Sequence, residues 1–162
     1  MAQQIERTRR GDFRLRLSRE EREVLRALPN QLRELLGTDD PSLERLFPTA
    51  YAEDTHAQAD FEHLTRDELV SRKLRALRVM EATVDADRLD EEELNAWLGA
   101  LEDLRLVLGT RLDVTEEIST RPFSPHDPRA PELALYGYLS WLQEQAVAAL
   151  SAGLPARADE VI

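Results

Sequence analysis

Leucine spacing is the feature that most constrains the fold of this chain. Between Ser18 and Gly37, apolar residues recur at intervals of three and four, which is the spacing of one face of an α-helix. The stripe consists of Val24, Leu25, Leu28, Leu32, Leu35 and Leu36. Ser18 followed by Glu21 is a typical helix start, and Gly37 is a typical stop. We therefore expect a helix between them, bent at Pro29.

Further helices are expected along the rest of the chain. A short helical turn starts at Asp40, and a short helix opens at Thr55. Two longer helices are predicted to start at capping boxes headed by Thr65 and Asp90, each followed by Glu three residues later, and to pack antiparallel. A last helix is predicted over 130–152.

The N-terminal residues carry a different pattern. Phe13, Leu15 and Leu17 alternate with arginines, which is the period of a half-buried β-strand. A turn at 10–12 would return the chain along 3–7. The pattern predicts a short β-hairpin.

Together these signals predict an all-α fold, a compact helical bundle domain with a small N-terminal β-hairpin. We expect a single domain over 1–154, including the hairpin arm at 1–17, and a flexible tail at 155–162.

Composition excludes several classes of function. The 162 residues contain no cysteine, so disulfides, zinc–cysteine sites and thiol nucleophiles are excluded. The net charge of −11 opposes binding to nucleic acid through long-range repulsion. No apolar run approaches the roughly 20 residues that span a bilayer, and no signal peptide is visible. We expect a cytoplasmic protein with no membrane partner.

Signals for catalysis or cofactor binding are weak. His56, Asp60 and His63 share one face of a predicted helix, but the outer pair is separated by a rise of about 10.5 Å, so a solvated face is favoured and only a pairwise site through Asp60 stays open. The acidic stretch 85–96 lacks the glycine and final glutamate of a calcium loop. We expect no catalytic, metal-binding or cofactor-binding site, and not an enzyme.

Three residues on the two last helices stand out by position. Arg105 projects into the leucine stripe of its helix, which predicts a structural buried ion pair with a carboxylate. Tyr138 and Trp141 share a side of the last helix away from its leucines. One interpretation is that they form an interface, either with a partner protein or with a second copy of the chain. The other is that they are ordinary core residues, covered by the proline-rich loop at 122–131.

Residues 1–33 contain nine arginines and five acidic residues. Those of the hairpin region, namely Arg7, Arg9, Arg10, Arg14 and Arg16, are the candidates for an alternative function, direct nucleic-acid contact by a transcriptional regulator. Because the helix predicted after Asp90 starts with four acidic residues, it is unsuited to enter a DNA groove. We expect nucleic acid to be bound only weakly or indirectly.

Three segments, Asn95–Leu98, Asp103–Gly109 and Tyr138–Glu144, resemble the signature segments of an actinobacterial domain-of-unknown-function family. Its members are often encoded near the Clp protease adaptor ClpS, and they include an oxidative-stress-responsive regulator. The resemblance implies a non-enzymatic regulator that acts through a protein partner, a stress sigma factor or a Clp-related component, on transcription of redox-protective genes. Thiol oxidation cannot operate in these residues, since cysteine is absent.

Overall fold

The computed structural model describes the backbone of residues 4–47, 55–113 and 126–152, and the side chains of the same residues except 55–65. In chain order the elements are β1 (Ile5–Arg7), β2 (Phe13–Leu15), α1 (Arg19–Leu36), a 3-10 helix (Pro41–Leu46), α2 (Thr55–Thr83), β3 (Arg88–Leu89), α3 (Glu91–Arg111) and α4 (Ala130–Ser151). The predicted mostly helical fold class is confirmed. No helix in the described ranges is long and apolar enough to cross a membrane.

The N-terminal hairpin is confirmed, and it has a third strand that the sequence did not predict. The strands form an antiparallel sheet in the order β1-β2-β3, with Ile5 opposite Leu15 and Phe13 opposite Leu89. Gly11, at φ 91°, allows the β1–β2 turn. The link after α2 leads into β3 at Arg88–Leu89. Two residues are too few to show the alternation from which a strand is predicted.

The predicted caps of α1 and α3 are present. The Ser18 hydroxyl accepts a hydrogen bond from the Glu21 amide at 3.1 Å. At α3, the Asp90 carboxylate accepts from the Glu93 amide at 2.7 Å and the Glu93 carboxylate accepts from the Asp90 amide at 2.9 Å. At α1 the box is incomplete, because the Glu21 carboxylate accepts from Gln4 instead, at 3.2 Å.

The predicted helix start at Thr65 is wrong. The two helices expected from Thr55 and Thr65 are one continuous helix, α2, which ends at Thr83. The ten residues before Thr65 contain neither glycine nor proline and include good helix formers, so nothing forces the chain out of the helix before the apparent cap. A capping box stabilises a helix end only where the preceding backbone has left the helix.

The core is centred on α3, which packs against α2, α4 and the 3-10 helix. Trp97 is fully buried and its indole nitrogen donates a hydrogen bond to the Thr83 hydroxyl at 2.7 Å. Towards the other end of α3, a Cβ placed on Gly109 would lie only 2.9 Å from the Tyr136 ring. The start of α4 therefore packs closely on the end of α3.

One arginine joins the sheet to the helices. Arg22 on α1 donates to the carbonyl oxygens of Val84 and Ala86 at 2.8 Å, of Leu17 at 3.2 Å and of Leu15 at 3.4 Å. Its side chain is only 14% exposed. The guanidinium thus satisfies backbone acceptors at the end of β2, before α1 and after α2.

A second arginine attaches the sheet to α4. Arg7 on β1 donates to the carbonyl oxygens of Ala149 and Leu150, both at 3.4 Å. These carbonyls lie in the last turn of α4, where a cation also interacts favourably with the helix dipole. The guanidinium lies 4.9 Å from the centre of the Phe13 ring.

Two earlier expectations concern residues outside this description. The single domain over 1–154 and the tail at 155–162 stay predictions, because 153–162 lie outside the described residues. The same holds for the part of the proline-rich loop that precedes His126.

Replacing Arg22 should destabilise the fold strongly. Arg22→Met leaves buried carbonyls without a donor, and we expect the free energy of unfolding in urea to fall by about 3 kcal/mol. Arg19→Met is the matched control, since the Arg19 side chain is 89% exposed on the same helix; its effect should stay within about 0.5 kcal/mol. Equal losses from the two variants would contradict the role assigned to Arg22.

Candidate protein-interaction site

A groove of about 860 Å³ lies between α1, α3 and α4. Most of its lining is apolar: Leu28, Leu32 and Leu35 from α1; Leu104, Val107, Leu108 and Leu112 from α3 and the residue after it; Leu135 and Leu139 from α4; and Pro128. Five of these residues are buried, and the partly exposed leucines of the groove are Leu28, Leu35, Leu108 and Leu135. Polar residues at its edge are Gln31, Glu34, Thr38, Arg111, Arg129 and Glu132.

Ion pairs hold one end of the groove. Arg111 pairs with Asp40 at 3.4 Å. Hydrogen bonds from Ser42, and then Arg111, lower the pKa of Asp40. Arg129 pairs with Asp127 at 3.3 Å and lowers the pKa of that carboxyl through hydrogen bonds.

Arg129 also connects α4 to the end of α3. Its guanidinium donates to the carbonyl oxygen of Leu112 at 3.2 Å. That carbonyl is one of those left without a partner when a helix ends. The contact positions the first turn of α4 at the edge of the groove.

Tyr138 and Trp141 lie beside the groove. Their ring centres are 6.1 Å apart with planes tilted by 40°, so the two rings pack on the same side of α4. Trp141 is 38% exposed, whereas Tyr138 is half-buried. Burial, together with the neighbouring carboxylate of Glu21, raises the pKa of Tyr138 well above its usual value, so its hydroxyl stays protonated.

The start of α1 lies near Tyr138, since Glu21 is a neighbour of that hydroxyl. Val24, an exposed residue, lies one turn after Glu21 and one turn before the groove residue Leu28. We call Val24, Tyr138 and Trp141 the aromatic patch. It adjoins the groove, because Leu135 precedes Tyr138 by one turn of α4 and also lines the groove.

The exposed side of α4 near Trp141 carries one charged residue, Glu144. Ala134 and Ala148, seven residues before and after Trp141, are exposed, as is Gly137. Residues seven apart lie on nearly the same side of a helix. Small uncharged residues therefore extend the aromatic patch along α4, in a chain of which 33% is charged.

The predicted carboxylate partner of Arg105 is absent from the described residues. The Arg105 Nε is buried without a hydrogen-bond partner, and its guanidinium lies 5.9 Å from the centre of the Tyr136 ring. No described carboxylate pairs with Arg105, so its structural buried ion pair stays a prediction. Helical periodicity correctly placed Arg105 among apolar residues, but it could not identify what α4 brings next to it.

The buried ion pair of α3 is formed instead by Asp103 with Lys73 of α2. Their charged atoms are 2.9 Å apart, and the side chains are 10% and 16% exposed. Burial raises the pKa of Asp103 although Lys73 opposes that shift. Sequence reasoning missed this pair. The signal was the apolar stripe of Ala96, Ala100 and Val107, into which Asp103 fits at helical spacing.

The five hairpin arginines considered for nucleic-acid contact differ in their contacts and exposure. Arg7 is bound to α4 carbonyls, and Arg16 pairs with Glu6 at 3.0 Å. The side chains of Arg9, Arg10 and Arg14 are exposed. The arginine-rich segment is thus partly structural, and only part of it faces solvent without a carboxylate.

The histidine and carboxylate triplet at 56, 60 and 63 lies outside the described side chains. Where side chains are described, no group of three His, Asp or Glu residues is arranged to hold a metal ion.

Comparisons with known proteins give a family match over nearly all of the chain. A sequence profile described as "Domain of unknown function (DUF2017)" matches residues 2–150. "Putative oxidative stress regulator AosR" of Mycobacterium leprae is 33% identical over 132 residues, which cover 70% of this chain and 60% of that protein. "Oxidative stress regulator AosR" of Mycobacterium bovis and of Mycobacterium tuberculosis is 32% identical over 129 residues, covering 68% of this chain and 58% of each relative.

The chain thus spans about three fifths of the length of the curated relatives that it matches. No solved structure matches it.

Removing Lys73 should make stability depend on pH. Lys73→Met leaves the Asp103 carboxylate buried without a cation, so we expect a loss of about 3 kcal/mol near neutral pH in urea unfolding. The buried Asp103 carboxyl destabilises the folded state only while it is ionised. The loss should therefore shrink as the pH falls through that raised pKa towards the ordinary aspartate pKa of 3.8.

The neighbouring Arg72 supplies the control. Its side chain is 67% exposed, and Arg72→Met should cost less than about 1 kcal/mol. A loss in Lys73→Met that stays constant on acidification would show that Asp103 ionisation is not its cause.

Proposed function

The chain belongs to the DUF2017 family, and we propose that it is a non-enzymatic regulatory protein of the cytoplasm that acts by binding other proteins. Its mycobacterial relatives are named as oxidative stress regulators, which supports a regulatory role in the response to oxidative stress. Because cysteine is absent from these 162 residues, the proposed regulator responds through what it binds and not through a thiol of its own.

The observation that carries the proposal is the leucine-lined groove with the aromatic patch beside it. A groove between helices that is lined by leucines fits the apolar side of an amphipathic helix, whose anchors repeat at three and four residues. The aromatic patch adds an exposed tryptophan, a residue type enriched among the strongest contributors to binding. Most of the lining is apolar area that a partner can bury, which favours binding over catalysis.

We propose that the occupant is an amphipathic helix of a stress sigma factor. The names of the relatives favour a partner through which oxidative stress changes transcription. A Clp-related component and a second copy of this chain are the other occupants to be tested. An α4-to-α4 dimer would use the weakly charged side of that helix around Trp141.

Direct nucleic-acid binding is the second candidate function. The exposed side chains of Arg9, Arg10 and Arg14 favour it. The net charge of −11 opposes it, as do the carboxylates of Asp90–Glu93 at the start of α3. We therefore expect labelled duplex DNA at physiological salt to bind no tighter than about 10⁻⁴ to 10⁻⁶ M. Tight, sequence-selective binding would favour this function over the first.

Truncating the aromatic patch should weaken partner binding without unfolding the protein. Trp141→Ala removes a partly exposed ring, so its cost in stability should be below the 3–5 kcal/mol that is roughly expected for a buried one. Binding to a purified stress sigma factor of the same organism, measured by calorimetry, should weaken by about 30-fold or more. Leu28→Gln, in the groove wall, should weaken the same binding.

Val147→Ala is the matched control. Val147 is 45% exposed and lies on another side of α4, so neither binding nor stability should change appreciably. Light scattering on each variant reports whether a second copy occupies the groove instead. If the Trp141 and Leu28 variants bind the sigma factor as the parent does, the groove is not the site and the proposed function fails.

A further inference from the structure

The outer side of the small sheet is dominated by arginine. Ile5, Phe13, Leu15 and Leu89 face the core, so the residues between them face solvent. The strand register places Glu6 opposite Arg14 and Arg14 opposite Arg88.

Arg16, Arg9 and Arg10 extend this surface along β2 and into the turn. We call Arg9, Arg10, Arg14, Arg16 and Arg88 the basic sheet face; the carboxylates among them are those of Glu6 and Asp12. Arg88 is carried by β3 and is distant in sequence from the other four arginines. The complete basic sheet face could therefore not be predicted from the N-terminal residues alone.

The pairing of Arg14 with Arg88 works against stability. Like charges directly opposite each other on neighbouring strands repel and destabilise a sheet. Asp12 lies 3.5 Å from Arg88, and Glu6 lies 3.0 Å from Arg16, but Arg14 has no carboxylate partner in the part of the chain described. Glu6 lies opposite Arg14 on β1 but forms its ion pair with Arg16, so the two carboxylates of this side leave an excess of positive charge at Arg14.

We propose that the basic sheet face binds an acidic segment of a partner protein, a short run of Asp or Glu side chains. Two neighbouring guanidinium groups can each donate two hydrogen bonds to a carboxylate, which would relieve the repulsion between Arg14 and Arg88. This surface is separate from the groove. The sheet contacts the last turn of α4 through Arg7, whereas the groove is lined by α4 residues up to Leu139.

The size of the surface favours a peptide over nucleic acid. Three strands span about 10 Å across the sheet, and three residues span about 10 Å along it. An extended peptide of three or four residues covers that area. One strand of a duplex places only about three phosphates over it, because phosphates repeat every 3.4 Å or so. A duplex that continues past β3 would also meet the carboxylates of Asp90–Glu93.

A labelled octaglutamate peptide tests the proposal with the intact chain. Fluorescence anisotropy at low salt should show binding of octaglutamate and none of octaglutamine, and the binding should weaken as salt is added. Arg14→Gln should weaken it about tenfold or more, and Arg14→Gln with Arg88→Gln should abolish it. Because repulsion is removed, the melting temperature of Arg14→Gln should equal or exceed that of the parent.

Arg78→Gln is the control for net charge, since Arg78 is an exposed arginine on α2 away from the sheet. It should leave octaglutamate binding within about twofold of the parent, as should Trp141→Ala in the aromatic patch. Equal weakening by Arg78→Gln would mean that only overall charge matters, and would overturn the proposal. Absence of octaglutamate binding, or tighter binding of a duplex of equal charge, would overturn it as well.

Discussion

The contacts of Arg22 set the arrangement on which the rest of the structure depends. Its guanidinium donates hydrogen bonds to four backbone carbonyls from three parts of the chain. Three of these carbonyls, those of Leu17, Val84 and Ala86, lie outside the helices and strands, and the fourth, that of Leu15, is at the end of β2. By joining the end of α2 to β2 and α1, Arg22 holds the link that becomes β3. The third strand, and with it the position of Arg88, follows from that contact.

Features encoded by a few neighbouring residues could be predicted from the sequence. The Ser18 cap, the Asp90 capping box and the β1–β2 hairpin each depend on residues close together in the chain. Features that depend on distant contacts could not. β3 is two residues long and exists because β2 offers its free edge, and the signal at Thr65 was overridden because the preceding helix continues. The local sequence limits which structures a segment can form, and tertiary contacts determine which of these structures it adopts.

The same distinction between local patterns and distant contacts applies to the candidate site. Helical spacing placed Tyr138 and Trp141 together and Arg105 among leucines, and both placements hold. The groove could not be predicted, because it requires knowing that α1 lies across α3 and α4. The Tyr136 ring beside Arg105 could not be predicted for the same reason. The helix of Arg105 carries a buried acid, Asp103, but that carboxylate faces α2 and pairs with Lys73, the single lysine of the chain.

Arginine has three separate functions in this molecule, and they explain why so basic a segment occurs in so acidic a chain. Arg7 and Arg22 bind backbone carbonyls, and Arg22 also lies 3.8 Å from the Asp87 carboxylate. Others, such as Arg16 and Arg111, are paired with acids. Arg14 has neither kind of partner, and it lies on the sheet that Arg7 attaches to the last turn of α4. The guanidinium groups that hold the sheet in place therefore also fix the separation between its basic outer side and the apolar groove near the other end of α4, so that one partner could contact both only by spanning that helix.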